Sequence, residues 1–213
     1  MLKKNKWILV ITTMLILLPI AAGLYLWEQL PDVIATHWGV NGEPDGWSKK
    51  WVAVFGLPLL LCAIQWAGAF ASEWDKSSKK QNRKVKAMVL WIIPVVSIVG
   101  SGYVYAAAMG KTLNIAAVVL PLLGLLFVTV GNYLPKCTQS YTVGIKLKWT
   151  LEDEANWHAT HRLAGKLWVA GGVLMMIVAF LPQAAAPWLT AAAMAVMVLV
   201  PGAYSYIYSR KNK

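Results

Sequence analysis

LWVAGGVLMMIVAFLPQAAAPWLTAAAMAVMVLVPGAYSYIYS, residues Leu167 to Ser209, runs for 43 positions without an Asp, Glu, Lys, Arg or His. A helical crossing of a bilayer needs about 20 apolar residues, so this run holds two. Pro182-Gln183 and Pro187 fall near its middle and divide it with a tight uncharged turn, because proline lacks the N–H that a helix interior needs. Working outward, four more uncharged stretches lie at Trp7–Trp27, Trp51–Ser72, Ala87–Gly110 and Thr112–Pro135, each long enough for one span. The reading is an all-α integral membrane protein of six transmembrane helices at about 7–27, 51–71, 87–109, 113–134, 163–182 and 188–208. An ordered extracellular loop (28–50) and a cytoplasmic loop (135–162) join them. The 213 residues, 58% hydrophobic, are consumed by these spans and loops, so residues 1–213 are expected to form a single membrane domain.

The basic residues orient the spans. With the N-terminus in the cytoplasm, 17 of the 20 Lys and Arg residues lie inside and only Lys49, Lys50 and Lys111 outside. The opposite orientation would translocate the short, strongly basic segment Lys76–Lys86, which the positive-inside rule disfavours. Both termini are therefore expected in the cytoplasm. The N-terminal apolar run of 21 residues is longer than the core of a cleaved signal, about 7–15 residues, and should remain as a helix. The net charge of +11 is accounted for by insertion and by attraction to anionic inner-leaflet lipids, so direct nucleic-acid binding is not expected. Cys62 lies within a span and Cys137 on the cytoplasmic side, where thiols stay reduced, so no disulfide is expected.

The middle of every span lacks ionisable residues, which counts against an ion-coupled transporter. Pro19, Pro58, Pro94, Pro121 and Pro201 each fall inside a span. They are either simply tolerated, as is common in membrane helices, or they bend a bundle around a pocket. Trp7, Trp27, Trp51 and Trp188 lie where spans meet the interface and read as an aromatic belt. Long loops after the first and fourth spans, each opening with Leu-Pro (Leu30-Pro31 and Leu134-Pro135), suggest a 3+3 inverted repeat.

Residues 28–50 are rich in turn formers. Asn41-Gly42 and Pro44-Asp45-Gly46 are turn signals, Gly permitting positive φ and Asp bonding the backbone ahead of it. A short hairpin capping the outer mouth is expected. His37, Glu43 and Asp45 have metal-ligating types without a ligand spacing, and ordered loops on a rigid scaffold are where binding residues collect.

On the cytoplasmic side, Thr150 reads as a helix N-cap with Asp153 three residues on, and the helix should run directly into the fifth span. Glu154, His158 and His161 then share one face. They are either a divalent metal set or a polar interfacial face with Glu154 and His158 as an ordinary i,i+4 pair. No nucleophile elbow, phosphate loop or Cys-x-x-Cys pair is present, so no enzyme signature stands out.

These segments carry a resemblance. Leu30-Pro31 through His37-Trp38, Gly42-Glu43-Pro44-Asp45-Gly46-Trp47 resembles the domain of unknown function near the N-terminus of many SdpI-like proteins. Gly131-Asn132-Tyr133-Leu134-Pro135-Lys136, Tyr141, Gly144-Ile145-Lys146, Trp149-Thr150-Leu151, and Trp157 with Thr160-His161-Arg162 and Gly165 resemble the SdpI family signature. Ser140, Lys146 and Lys148 stand where the family has Asn, Arg and Pro, and Arg to Lys replaces a bidentate donor with a point charge.

The resemblance implies a multi-pass immunity protein of the bacterial cell membrane, protecting its host from a secreted peptide toxin, and also a receptor that sequesters a cytoplasmic transcriptional repressor. Toxin recognition would fall to His37, Trp38, Glu43, Asp45 and Trp47. The family motif would comprise Asn132, Pro135, Gly144, Lys146, Trp149, Thr150, Trp157, His161 and Arg162, and Lys79, Lys80, Arg83 and Lys84 would meet repressor or lipid. No cofactor is expected unless Glu154, His158 and His161 hold a divalent metal. The competing readings are a small-molecule transporter or channel, with a cavity lined by groups such as Gln65, Asn114, Thr129 and Asn132, and a membrane-embedded metal-dependent enzyme.

Overall fold

A computed structural model describes residues 2–75, 81–112, 114–182 and 185–211. The elements follow in chain order: α1 (Leu2–Tyr25), β1 (Val33–Trp38), β2 (Pro44–Lys49), α2 (Lys50–Trp74), α3 (Arg83–Ala108), α4 (Ile115–Tyr133), α5 (Lys148–Glu152), α6 (Glu154–Val178) and α7 (Ala186–Lys211). Six of these helices, all but α5, are long and apolar enough to cross a membrane. The protein is an all-α multi-pass membrane protein whose only described strands are β1 and β2. Five of the six spans carry several exposed large apolar side chains and α4 carries one, Leu125, as the lipid-facing side of a membrane helix should.

The chain divides into two compact units. The first comprises residues 1–70 and 87–118, the second residues 71–86 and 119–213. In the first, polar side chains tie α1 to its neighbours. Gln65 of α2 donates to Thr12 (3.0 Å), while Ser97 and Tyr105 of α3 donate to the carbonyls of Ile16 (2.8 Å) and Pro19 (3.0 Å). Such bonds hold helices together where lipid offers no hydrophobic drive. Gly23 makes the close approach possible, since a methyl group there would meet Tyr105 and Val54.

In the second unit, α4 and α6 run antiparallel in glycine contact. A methyl on Gly124 would fall 2.5 Å from the Gly172 carbonyl, and one on Gly131 2.9 Å from the Gly165 carbonyl. Both helices thus use glycines seven residues apart, two turns along one face. Helix α7 packs on α6 through Met197, which lies beside Gly171 and whose carbonyl accepts from the Trp168 indole (3.0 Å).

The segment between α4 and α6 departs from expectation at its helix start. Thr150 is not the N-cap. It lies within α5, where its hydroxyl accepts from the Leu147 N–H (2.9 Å). The cap is Asp153, extended at φ −133° and ψ 117°, whose carboxylate accepts from the Ala155 N–H (2.8 Å). A short acidic side chain that bonds the backbone ahead of it competes with helix continuation, so the helix stops and restarts there. α6 consequently begins at Glu154 rather than just after Thr150, and, as expected, His158 and His161 ride on the helix that runs on into the fifth span.

Candidate functional site

The outer loop is the expected hairpin. β1 and β2 pair antiparallel, with Val33 opposite Lys49, Ala35 opposite Trp47 and His37 opposite Gly46, and with register shifts on either side of His37. Gly42 turns the chain at φ +78°, and Asn41 accepts from the Glu43 N–H (3.2 Å), the local bond that Asn brings to turns. Ile34 is buried with Leu30, Ala53, Val54 and Tyr105, and this apolar cluster seats the hairpin on α2 and α3. Lys50 fastens its base by donating to the Trp27 carbonyl (3.1 Å), pairing with Asp32 (3.4 Å) and lying over the Trp27 ring.

Alternation along the strands then decides what faces outward. Ile34 points inward and Trp38 is half-buried, its ring edge-on to Tyr103 at 4.8 Å. Val33 and Trp47 are exposed, as are His37 and Asp45, which bond to each other through His37 Nδ1. Gly46 makes room for His37, since a methyl there would lie 2.9 Å from the His37 Cβ. Glu43 is exposed and accepts from Asn41 Nδ2 (3.0 Å). Of the five residues singled out on this loop, four form an exposed rim and Trp38 is an anchor.

The inner segment is a closed polar network. Trp157, Thr160, His161, Asn156 and Thr150 are completely buried. The Trp157 indole donates to the Cys137 carbonyl (2.9 Å) and its ring stacks on His161 at 4.0 Å. His161 Nε2 accepts from the Ile145 N–H (2.9 Å), so the ring carries its proton on Nδ1, which bonds the Trp157 carbonyl (2.7 Å). Gly144 crosses above these rings at φ +121°. Asn156 bridges to α7, donating to the Ser205 carbonyl (3.0 Å) and accepting from the hydroxyls of Ser205 and Thr160 (2.9 Å each).

The metal reading of Glu154, His158 and His161 does not survive this geometry. Both nitrogens of His161 are engaged with the backbone, leaving no lone pair for a ligand. His158 and Glu154 form the i,i+4 pair at 3.8 Å, and among the described residues no three His, Cys, Asp or Glu side chains are grouped to hold a metal ion. Three of the four polar groups considered for a transport path are used locally. Gln65 bonds Thr12, Asn114 caps α4 by accepting from the Ala116 N–H (2.9 Å), and Thr129 donates back to the Leu125 carbonyl (2.7 Å).

Among the other motif positions, Trp149 meets the Tyr206 ring edge-on at 5.1 Å and Pro135 fits against Gly165. Asn132, Lys146 and Arg162 are exposed, as are Arg83 and Lys84; Lys79 and Lys80 lie outside the described residues. Two residues that carry no motif or spacing signal hold the loop in place. Asp75 accepts from the Ser140 hydroxyl (2.9 Å), the Tyr141 N–H (3.2 Å) and the Thr142 hydroxyl (3.0 Å). Gln81, buried, clamps Thr138 by donating to its carbonyl (3.3 Å) and accepting from its N–H (3.1 Å).

Residues 136–205, which include this network almost entirely, match the SdpI/YfhL protein family, and residues 14–62, which include the whole hairpin, match a domain of unknown function, DUF1648. Over the first of these segments the chain is similar to the SdpI family. It is 23% identical over 185 residues to the immunity protein SdpI of Bacillus subtilis (strain 168), covering 84% of this chain and 83% of that one. No solved structure matches it. The six apolar helices and this similarity together make it a multi-pass protein of the cell membrane. The residues that resemble the family signature build, in this chain, the fold of the segment around Trp157 and His161.

Proposed function

We propose that this protein is a membrane immunity protein that protects its bacterium from a secreted peptide toxin, recognised on the outward face of the hairpin. The observation that carries the reading is the exposed Trp47 beside the exposed His37–Asp45 pair, on a hairpin pinned by Ile34 and Lys50. A rigidly held Trp flanked by charge is the kind of group that dominates peptide-binding surfaces. The similarity to the Bacillus subtilis immunity protein over most of both chains supports the same reading. Binding rather than catalysis is assigned, in keeping with the engaged nitrogens of His161. Exposed Arg83 and Lys84, beside the ordered inner loop, are the surface we assign to a cytoplasmic repressor.

The test is survival of toxin-sensitive bacteria that express this chain and are challenged with the peptide toxin encoded beside its gene. Trp47→Ala should weaken toxin binding by about 2 kcal/mol or more, as for a binding hot spot, and abolish protection, with His37→Ala weaker in effect. The amount of protein in the membrane should be unchanged, because both side chains are exposed. Full protection by Trp47→Ala would remove the hairpin face as the recognition surface. No protection by the unaltered chain at good expression would remove the immunity reading.

A further inference from the structure

In the second unit a cleft of about 360 Å³ opens alongside α6, lined by Pro135, Ala159, Arg162, Leu163, Lys166 and Tyr204. Arg162 and Lys166 are one helical turn apart, both exposed, and neither has an acidic partner among the described residues. The remaining lining is apolar except for the Tyr204 hydroxyl. Further along the same helices toward mid-membrane, Val173, Leu174 and Ile177 of α6 and Val196 and Val200 of α7 are exposed. Two unpaired cations and a tyrosine therefore stand where a hydrocarbon-facing surface begins, on the side that the charge asymmetry assigns to the cytoplasm.

We propose that this cleft binds the phosphate of an anionic phospholipid headgroup of the inner leaflet. The Arg162 guanidinium presents a fork suited to two phosphate oxygens, and Lys166 adds a compact charge one turn on. Tyr204 has the amphipathic character of residues found at headgroup depth, and the acyl chains lie along the exposed apolar faces of α6 and α7. This differs from the general attraction between a basic surface and anionic lipid, which Arg83 and Lys84 also exert. Here charge, cavity and apolar continuation coincide, and the ligand's own division into phosphate and hydrocarbon matches theirs. The proposal is independent of toxin recognition.

The experiment is lipid retention by the purified full-length protein, measured by native mass spectrometry with added phosphatidylglycerol or phosphatidylcholine. Wild type should retain phosphatidylglycerol preferentially. Arg162→Gln/Lys166→Gln should weaken that retention about tenfold or more, since each side chain makes a hydrogen bond to a charged group. Arg162→Lys/Lys166→Arg should keep most of it, and Arg83→Gln/Lys84→Gln all of it. An unchanged melting temperature of the double Gln variant establishes that it is folded, as exposure of both side chains leads one to expect. Equal retention of the two lipids, or undiminished retention by the double Gln variant, overturns the proposal. So does full displacement of phosphatidylglycerol by millimolar inorganic phosphate, which would identify a free-phosphate site. Loss of a co-purifying cytosolic protein with lipid retention intact would assign the cleft to that partner instead.

Discussion

At Gly144 a single hydrogen atom occupies the space where any other residue would place a methyl group 2.6 Å from the Trp157 ring and 2.7 Å from His161 Nε2. The backbone there is also at φ +121°, a conformation open to glycine and strained for other residues. Gly144→Ala combines strain with overpacking and should cost roughly 2–4 kcal/mol. His161→Ala leaves the buried Ile145 N–H without its acceptor, at about 1–3 kcal/mol for the orphaned group. Cys137 supplies the readout. Its thiol is buried, donates to the Tyr133 carbonyl (3.4 Å), and is pushed by burial up to about 11, so at neutral pH almost no thiolate is present to react. In a Cys62→Ala background, maleimide labelling of Cys137 should be slow in the parent and at least about tenfold faster in Gly144→Ala, since each 1.4 kcal/mol is a factor of ten. A divalent-metal chelator should leave the rate unchanged. Acceleration by the chelator would restore the metal reading that the engaged His161 nitrogens oppose.

Among the elements, the pairing of α4 with α6 is the most exacting. Gly124 meets Gly172 and Gly131 meets Gly165, so stepping forward along one helix steps backward along the other. Without a hydrophobic drive between helices in lipid, close backbone approach is what such pairs contribute. Gly131→Leu and Gly165→Leu should each lower stability by about 2–3 kcal/mol through overpacking, visible as a fall in melting temperature. Gly202→Leu, on α7 with open space around its Cβ position, should change it little. An equal effect at Gly202 would mean that leucine at any glycine is harmful and that the pairing carries no special weight. This pairing was not legible in the sequence, although the seven-residue spacings are visible there, because hydropathy does not separate a helix-facing side from a lipid-facing one when both are apolar. The hairpin was legible for the opposite reason, its turn being made by local chemistry at Asn41 and Gly42. Thr150 and His161 were misread because their partners, Leu147 and Ile145, come from a loop whose path no spacing rule describes. The length and apolarity of the six spans needed no such path, and there sequence and structure agree.

For the whole molecule, orientation follows from charge rather than from any contact. Seventeen basic residues fall on one side of the spans and three on the other, and of those three Lys50 is engaged by Asp32 and the Trp27 carbonyl. The positive-inside rule then leads one to expect the hairpin outside, where a secreted peptide would meet it, and the Trp157–His161 network inside. The expectation can be checked without toxin or partner. In a cysteine-free background, Val40→Cys at the exposed hairpin tip and Tyr141→Cys on the exposed part of the inner loop provide one reporter on each side. A membrane-impermeant maleimide should label Val40→Cys in intact cells and Tyr141→Cys only after the membrane is opened. The reverse pattern would put the basic loops outside and remove the hairpin from any peptide arriving from the medium. Labelling of both in intact cells would contradict the odd number of spans between them, because positions 40 and 141 are separated by α2, α3 and α4.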